Sequence, residues 1–247
     1  MPLKIDLNCD MGEGCGNDAE LMDFVSSINV ACGFHAGDTE IMSRTVEMAL
    51  KKGVAIGAHP GYRDRKSFGR VAMGLLPEQI FEIVSEQVMK LSSVCVEFGA
   101  TLRHVKPHGA LYNQAAKDPE FADAVARAVR EQDETLILFG LSGSASIREA
   151  RKIGLSTASE AFADRTYQED GSLTPRIEPT ALITDTQSVL AQVLQIVKTG
   201  TVTSAAGVTI PLMAETICVH GDGPHAVGFA YSISHELKAS GIRIEPV

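Results

Sequence analysis

The 247-residue chain predicts an α/β fold, a single parallel (β/α)7 barrel over residues 1–247, and three features carry that expectation. Short apolar runs alternate with amphipathic stretches from end to end, the pattern of a parallel sheet with helical crossovers. Seven such runs can be counted, a number that suits a closed or nearly closed barrel. Segments rich in His, Asp, Glu and Gly follow most of them, and in parallel α/β architectures those loops open together at the carboxyl end of the sheet.

The strand candidates are 4–8, 27–31, 54–57, 102–105, 135–139, 156–159 and 217–220. Between them the 3.6-residue period is clear. Ile80, Val84, Val88, Leu91, Cys95 and Phe98 form one stripe, and Ala226, Ala230, Ile233 and Leu237 another. Asp118 before Pro119 reads as an N-cap followed by an N1 proline, Pro77 opens the longest helix, and Gly53 and Gly99 stop theirs. Asp38, ahead of Met42, Val46 and Ala49, is most simply an N-cap as well. Gly171, Pro175 and Pro179 break the rhythm over 166–180, and 200–215 has room for a hairpin. Both are expected as excursions near the mouth of the barrel.

Composition narrows the function. The net charge of −9 repels a nucleic acid or an anionic membrane rather than gathering it. No run approaches the roughly 20 apolar residues needed to span a bilayer, and the start of the chain lacks a basic and then apolar leader. Five scattered cysteines, Cys9, Cys15, Cys32, Cys95 and Cys218, never fall in CxxC spacing, which argues against a disulfide framework or a cysteine zinc site. A soluble cytoplasmic protein is expected. No linker or low-complexity block marks a second domain, and barrels of this length stand alone.

The polar segments after the strands hold the candidate chemistry. They run Asn8 to Gly14, Cys32 to Asp38, Ala58 to Tyr62, Lys106 to Asn113, Glu160 to Arg165 and His220 to His225. One histidine near a strand end is usually hydrogen-bonded scaffold, but five of the seven (His35, His59, His108, His220, His225) fall on this face. Asp6, Asp10, Glu13 and Glu160, with His59 and His108, suit two chemistries. One is general acid and base catalysis on a carbonyl and its leaving nitrogen; the other is a divalent metal held by two His and an Asp, which no HxxxH or HExxH pair supports. Lys106 and Arg165 are candidates to hold a carboxylate or phosphate, or to pair with a neighbouring acid. No GxSxG elbow exists, and the run Gly140-Leu-Ser-Gly-Ser144 lacks the lysine of a phosphate loop.

Six ordered segments carry a resemblance: Asp6-Leu-Asn-Cys-Asp-Met-Gly-Glu13, Asn29-Val-Ala-Cys-Gly-Phe-His-Ala-Gly-Asp38, Gly57-Ala-His-Pro-Gly61, His104-Val-Lys-Pro-His-Gly-Ala-Leu-Tyr-Asn113, Glu160-Ala-Phe-Ala-Asp-Arg165 and Cys218-Val-His-Gly-Asp222. Together, from about Lys4 to the last helix, they resemble the LamB/YcsF family, the A subunits of bacterial 5-oxoprolinase. The resemblance implies a barrel of the glycoside hydrolase/deacetylase type. It also implies ATP-dependent hydrolysis of 5-oxo-L-proline to L-glutamate, in a complex with B and C subunits, the ATP site lying on this chain or shared with a partner. Departures from the family pattern are local, at Thr39, the basic segment 62–67 and His225. The expected catalytic residues are Asp6, Asp10, His59, Lys106, His108 and Glu160. Asn8, Glu13, His35, Asn113, Arg165, His220 and Asp222 are expected to bind substrate, and a divalent metal remains open without an assigned ligand set. Two other readings keep the fold: a stand-alone metal-dependent deacetylase of a carbohydrate or amide, and a non-catalytic subunit that only binds substrate.

Overall fold

A computed structural model describes residues 3–221 and 226–247. Seven parallel strands close on themselves: β1 (Lys4–Met11), β2 (Ser27–Ala31), β3 (Ala55–His59), β4 (Leu102–Val105), β5 (Ile137–Leu141), β6 (Ser156–Phe162) and, after an antiparallel hairpin of β7 (Thr201–Thr203) and β8 (Thr209–Pro211), β9 (Thr216–Val219), which pairs with both β6 and β1. A two-residue strand, β10 (Arg243–Ile244), adds to β1 at Lys4 and Ile5. The (β/α)7 barrel expected from the sequence is therefore the observed architecture.

Helices cover the outside. They are α1 (Asp18–Leu21), α2 (Thr39–Lys52), α3 (Pro77–Glu97), α4 (Gly109–Lys117), α5 (Pro119–Gln132), α6 (Ala145–Lys152), α7 (Thr186–Thr199) and α8 (Ala226–Ala239). Their ends follow the sequence signals. Asp38 accepts from the Ile41 amide and so caps α2, Asp118 caps α5 ahead of Pro119, and Gly53 ends α2 in the left-handed region at φ 68°. In α3, Ile80, Val84, Val88, Leu91 and Cys95 face inward and are buried. They pack over β3 and β4, and the outward side chains of the other strands, such as Ile5, Leu7, Cys9 and Met11 of β1, belong to the same apolar layer. Each large aliphatic side chain so buried contributes about 1.5–3 kcal/mol.

The period of two places the other side chains of each strand inside the barrel. In β1 these are Asp6, Asn8 and Asp10, so the interior is filled with layers of polar groups rather than with the branched aliphatics that usually occupy it. Several strands run past their expected ends. As a result Asp10, His59 and Glu160 sit within β1, β3 and β6 rather than on the loops that follow. Asn113 lies on α4, a helix that begins at Gly109 directly after His108. The 166–180 excursion holds only isolated bridges, Arg165 with Leu182 and Tyr167 with Leu173.

Candidate active site

A cavity of about 780 Å³ opens at the carboxyl end of the barrel, lined from β1 by Asp10, from β3 by His59, from beyond β4 by Lys106 and His108, from β5 by Leu141, from β6 by Phe162 and from beyond β9 by His220. Below it the polar interior is hydrogen-bonded layer by layer. Deepest, Asp6 accepts from the hydroxyls of Ser26 and Ser27 at 2.6 Å and of Thr216 at 2.5 Å. Above that, Asn8 donates to Glu160 Oε1 at 3.0 Å and to Thr216 Oγ1 at 2.6 Å, while Asn29 donates to Asn8 Oδ1 and Asp10 Oδ1, both at 2.8 Å. His104 bonds Asn29 Oδ1 through Nε2 at 2.8 Å and stacks on Phe139 at 4.1 Å. Gly57 leaves room for that ring, because a Cβ there would lie 2.1 Å from His104 Nε2.

Lys106 is the hub of the next layer. Its ammonium lies 2.9 Å from Asp10 Oδ1, 3.0 Å from Glu160 Oε1, 3.2 Å from Asn8 Oδ1 and 3.0 Å from Cys218 Sγ. Burial opposes its charge, but the carboxylates of Asp10 and Glu160 outweigh burial and hold the ammonium well above its ordinary pKa. The reciprocal holds at Asp10, where burial is overcome by His59 and Lys106 and the carboxyl stays well below the usual range. Burial pushes the Cys218 thiol up, so it remains protonated. Glu160 Oε2 and the Tyr112 hydroxyl are buried without an aligned hydrogen bond, and burial followed by Glu160 raises the Tyr112 phenol.

Three imidazoles gather beside Asp10. His59 donates from Nδ1 to the Lys106 carbonyl at 2.7 Å, and His108 donates from Nε2 to the Phe68 carbonyl at 2.8 Å. These bonds leave His59 Nε2 and His108 Nδ1 facing each other at 2.9 Å. His35 stacks flat on His108 at 3.8 Å, and its Nε2 lies 3.2 Å from Glu13 Oε1. Gln87 clamps both backbone polar groups of Gly61 and so fixes the turn after His59. Phe68, whose φ is 55°, packs against His35 and His108, placing a non-glycine left-handed residue at the cluster.

Two opposed lone pairs at 2.9 Å repel unless a proton or a cation lies between them. Burial opposes a charge on His59, but Asp10 outweighs burial and raises its pKa, whereas burial and His59 press His35 down to about 3 and His108 well below its ordinary value. One proton therefore fits the cluster. A metal fits too: Glu13, His35, His59 and His108 offer four donor atoms within 4.8 Å of one another. Cis ligands on bonds of ~2.1 Å stand roughly 3.0–3.4 Å apart, close to the spacings of 2.9, 3.2 and 3.3 Å between neighbouring donors here. Second hydrogen bonds that fix the tautomer, as on His59 and His108, are a regular feature of metal-binding imidazoles.

On the opposite wall, His220 bonds Asp164 through Nδ1 at 2.7 and 3.0 Å, and its Nε2 meets Arg176 Nη2 at 2.9 Å. Asp164 resists protonation because His220 and Arg176 outweigh its burial. Arg165 donates to the carbonyls of Ala181 at 3.2 Å and Thr174 at 2.6 Å, bracing the 166–180 excursion over the cavity.

The structure brings Asp10, Glu13, His59, Lys106, His108, Asn113, Arg165 and His220 to this cavity. His35 supports it from behind His108, and Glu160 and Asn8 lie beneath, bound to Lys106. Asp6, expected to be catalytic, does not line the cavity and is closed off by three hydroxyls. Asp222 and His225 lie outside the described residues. Sequence reasoning passed over Asn29, His104, Cys218, Asp164 and Arg176. The polar and apolar alternation of Asp6-Leu-Asn-Cys-Asp and the matching polar positions of the neighbouring strands were the available signal for the first three.

Comparison with known proteins finds relatives along nearly the whole chain. The model of the LamB/YcsF family matches residues 5–247. The A subunit of 5-oxoprolinase from Brevibacillus brevis is 51% identical over 245 residues, covering 97% of this chain and 96% of that protein. The crystal structure of a lactam utilization protein from Thermus thermophilus superposes with a TM-score of 0.93 at 40% identity, covering 99% of this chain and all of that one. A peptidoglycan deacetylase from Bacillus subtilis shares the fold at a TM-score of 0.50 and 11% identity, over 100% of this chain and 88% of that one. With its barrel, its buried polar layers and a match along nearly its whole length, the chain belongs to the LamB/YcsF family.

Proposed function

We propose that this chain is the A component of a multi-subunit 5-oxoprolinase and that its cavity carries out ATP-dependent opening of 5-oxo-L-proline to L-glutamate. The observation that carries the reading is the convergence of Asp10, His59, Lys106, His108 and His220 on one cavity, in a chain half identical to the A component of a bacterial 5-oxoprolinase. An unstrained lactam keeps its amide resonance, so its carbonyl is a poor electrophile. ATP overcomes this when the lactam oxygen attacks the terminal phosphorus and ADP leaves. Water then adds to the activated carbon, and the C–N bond breaks as the nitrogen gains a proton. The resulting acyl phosphate is cleaved by a second water to glutamate and phosphate.

In this scheme Asp10 and the His59–His108 pair take the proton of the attacking water and return one to the leaving nitrogen, while His220, bonded through Nδ1 to Asp164 and accepting from Arg176 at Nε2, holds that arginine at the cavity wall. Lys106, already paired with Asp10 and Glu160, sets the charge of the base rather than clamping the substrate carboxylate. That carboxylate falls to the cationic wall of Arg165 and Arg176. Glu13, His35, His59 and His108 would instead hold a divalent ion through the same imidazole nitrogens; when bound it supplies carbonyl polarisation or a more acidic water, and Asp10 alone then takes the proton. The B and C subunits complete the enzyme, in the cytoplasm.

The test is reconstitution with the B and C subunits, measuring glutamate and phosphate from 5-oxoproline and ATP. Wild type is expected to release both together, and His59→Ala and His108→Ala, folded by circular dichroism, to lose at least about 100-fold. Unchanged rates in both variants reject the reading. The histidine cluster also favours a second reading, a metal-dependent amide or carbohydrate deacetylase acting alone. Hydrolysis of an acetylated substrate by the metal-loaded chain without ATP would select it.

A further inference from the structure

The turn between β5 and α6 uses the run Gly140-Leu-Ser-Gly-Ser144, and none of its polar groups takes part in the acid and base steps above. Ser142, Gly143, Ser144 and, from the first turn of α6, Arg148 line the cavity. The turn is held rigidly: the Ser142 amide donates to the Glu160 carbonyl at 2.9 Å, its hydroxyl donates to the Met213 carbonyl at 2.6 Å, and Gly143 takes φ 73°. Arg148 Nη1 donates to the Gly143 carbonyl at 2.9 Å, which ties the guanidinium to the turn.

What the turn leaves open is a set of donors. Helix geometry gives the first-turn amides of Ala145, Ser146 and Ile147 no acceptor within α6, and the Ser144 side chain does not cap them. Ser144 is 8% exposed, and its hydroxyl, buried at the N-cap, has no hydrogen-bond partner. A buried unpaired hydroxyl costs about 1–3 kcal/mol, a cost that an acceptor would remove. The positive end of the helix dipole lies at the same place.

The rest of the cavity wall has the same sign. Arg70, Lys117, Arg165 and Arg176 line it together with Arg148, while the lining carboxylates are Asp10, Glu13 and Asp170. Asp10 is committed to Lys106, and Glu13 to the imidazoles. A basic wall on a chain of net charge −9 marks an anion site rather than a general surface bias. The cavity, at about 780 Å³, is also of the size that holds a drug-sized ligand, roughly 300–1,000 Å³. A single small lactam ring needs far less.

We propose that Ser144, the first turn of α6 and Arg148 form the seat of a phosphoryl group. In the reaction proposed above, on which this assignment rests, that group is the terminal phosphate of a nucleoside triphosphate, brought to the cavity in which the lactam binds. Phosphate released after turnover would meet the same donors.

The test titrates the full chain separately with inorganic phosphate, a non-hydrolysable ATP analogue and 5-oxoproline, using calorimetry. Arg148→Gln alters an exposed side chain, and Ser144→Ala removes only the unpaired oxygen. Each is expected to weaken phosphate binding about 10- to 100-fold, the worth of one hydrogen bond to a charged group, and to leave 5-oxoproline affinity unchanged. An equal loss for the ATP analogue assigns the seat to the nucleotide; loss for phosphate alone assigns it to the product. Phosphate and analogue affinities unchanged in both variants overturn the site. If 5-oxoproline does not bind but phosphate binding still depends on Arg148, the lactam reaction fails and the anion seat stands.

Discussion

Replacing Lys106 with methionine removes the one cation that lies between Asp10 and Glu160 while keeping most of the side-chain volume. Lys106 is 2% exposed and Glu160 is fully buried, so the variant leaves Glu160 without its counter-charge in the barrel interior and Asp10 with His59 alone. Breaking a buried ion pair from one side costs about 3–5 kcal/mol. For a chain of this length each kcal/mol moves the melting point by about 2–4 °C, so the midpoint at pH 7 should fall by roughly 6–20 °C. The sign of the pH dependence follows from the two shifts. Asp10 is depressed, so its contribution is present above its unfolded value near 3.9 and lost as pH falls; Lys106 is raised, so its contribution is present below about 10.4 and lost as pH rises through its folded value. Wild type keeps both across the neutral range. In Lys106→Met the Asp10 carboxyl loses one of the two charges that depress it, so its pKa rises and the deficit should shrink as pH falls towards the carboxylate range. Adding Glu160→Gln should recover part of the loss, which a double-mutant cycle measures. A single variant as stable as wild type at pH 7 would show that the Lys106 hub does not organise the interior.

Three further outcomes separate the roles of individual residues. Asp6→Asn should keep reconstituted activity within a few-fold while Asp10→Asn loses about 100-fold or more. Because burial raises the Asp6 pKa, its stabilising contribution is present at low pH and is lost as pH rises through the folded value; melting of Asp6→Asn should therefore fall less than wild type between pH 4 and pH 7. Gly57→Ala should destabilise by about 1–3 kcal/mol or prevent folding, since the added methyl meets a His104 ring held by Asn29 and Phe139; a melt equal to wild type contradicts the packing. Elemental analysis after dialysis against zinc should find one ion per wild-type chain and a clear loss in His59→Ala, and equal metal in both proteins would remove the imidazole cluster from consideration as the site.

Much of this architecture is legible because barrel strands obey simple periodicities. The seven apolar runs, the α3 stripe and the caps at Asp38 and Asp118 depend on local chemistry, and local chemistry stands in the sequence. The convergence of His59, His108 and Asp10 is legible for a topological reason: parallel strands present their carboxyl ends on one face. The inward layers are harder. Asn29, His104 and Cys218 carry chemistry only because β1 pairs with β2 and β9, and β3 with β4, in one register each, and register is a long-range property. Asp6 misleads for the same reason, since its place in a motif does not reveal that Ser26, Ser27 and Thr216 close over it. Lys106 suits a free anion clamp and a salt-bridge partner equally well on sequence, and only the geometry separates the two. The excursion at 166–180 hides the place of Arg176, because nothing local to a Gly- and Pro-rich loop states which wall it folds against.

The central claim is that one hollow at the carboxyl end of the barrel receives the lactam. A crystal structure of the chain with 5-oxoproline addresses it directly. The ring is expected between Asp10, His59 and His220 with its carboxylate on the arginine wall, and density for the lactam anywhere else on the chain would contradict the account.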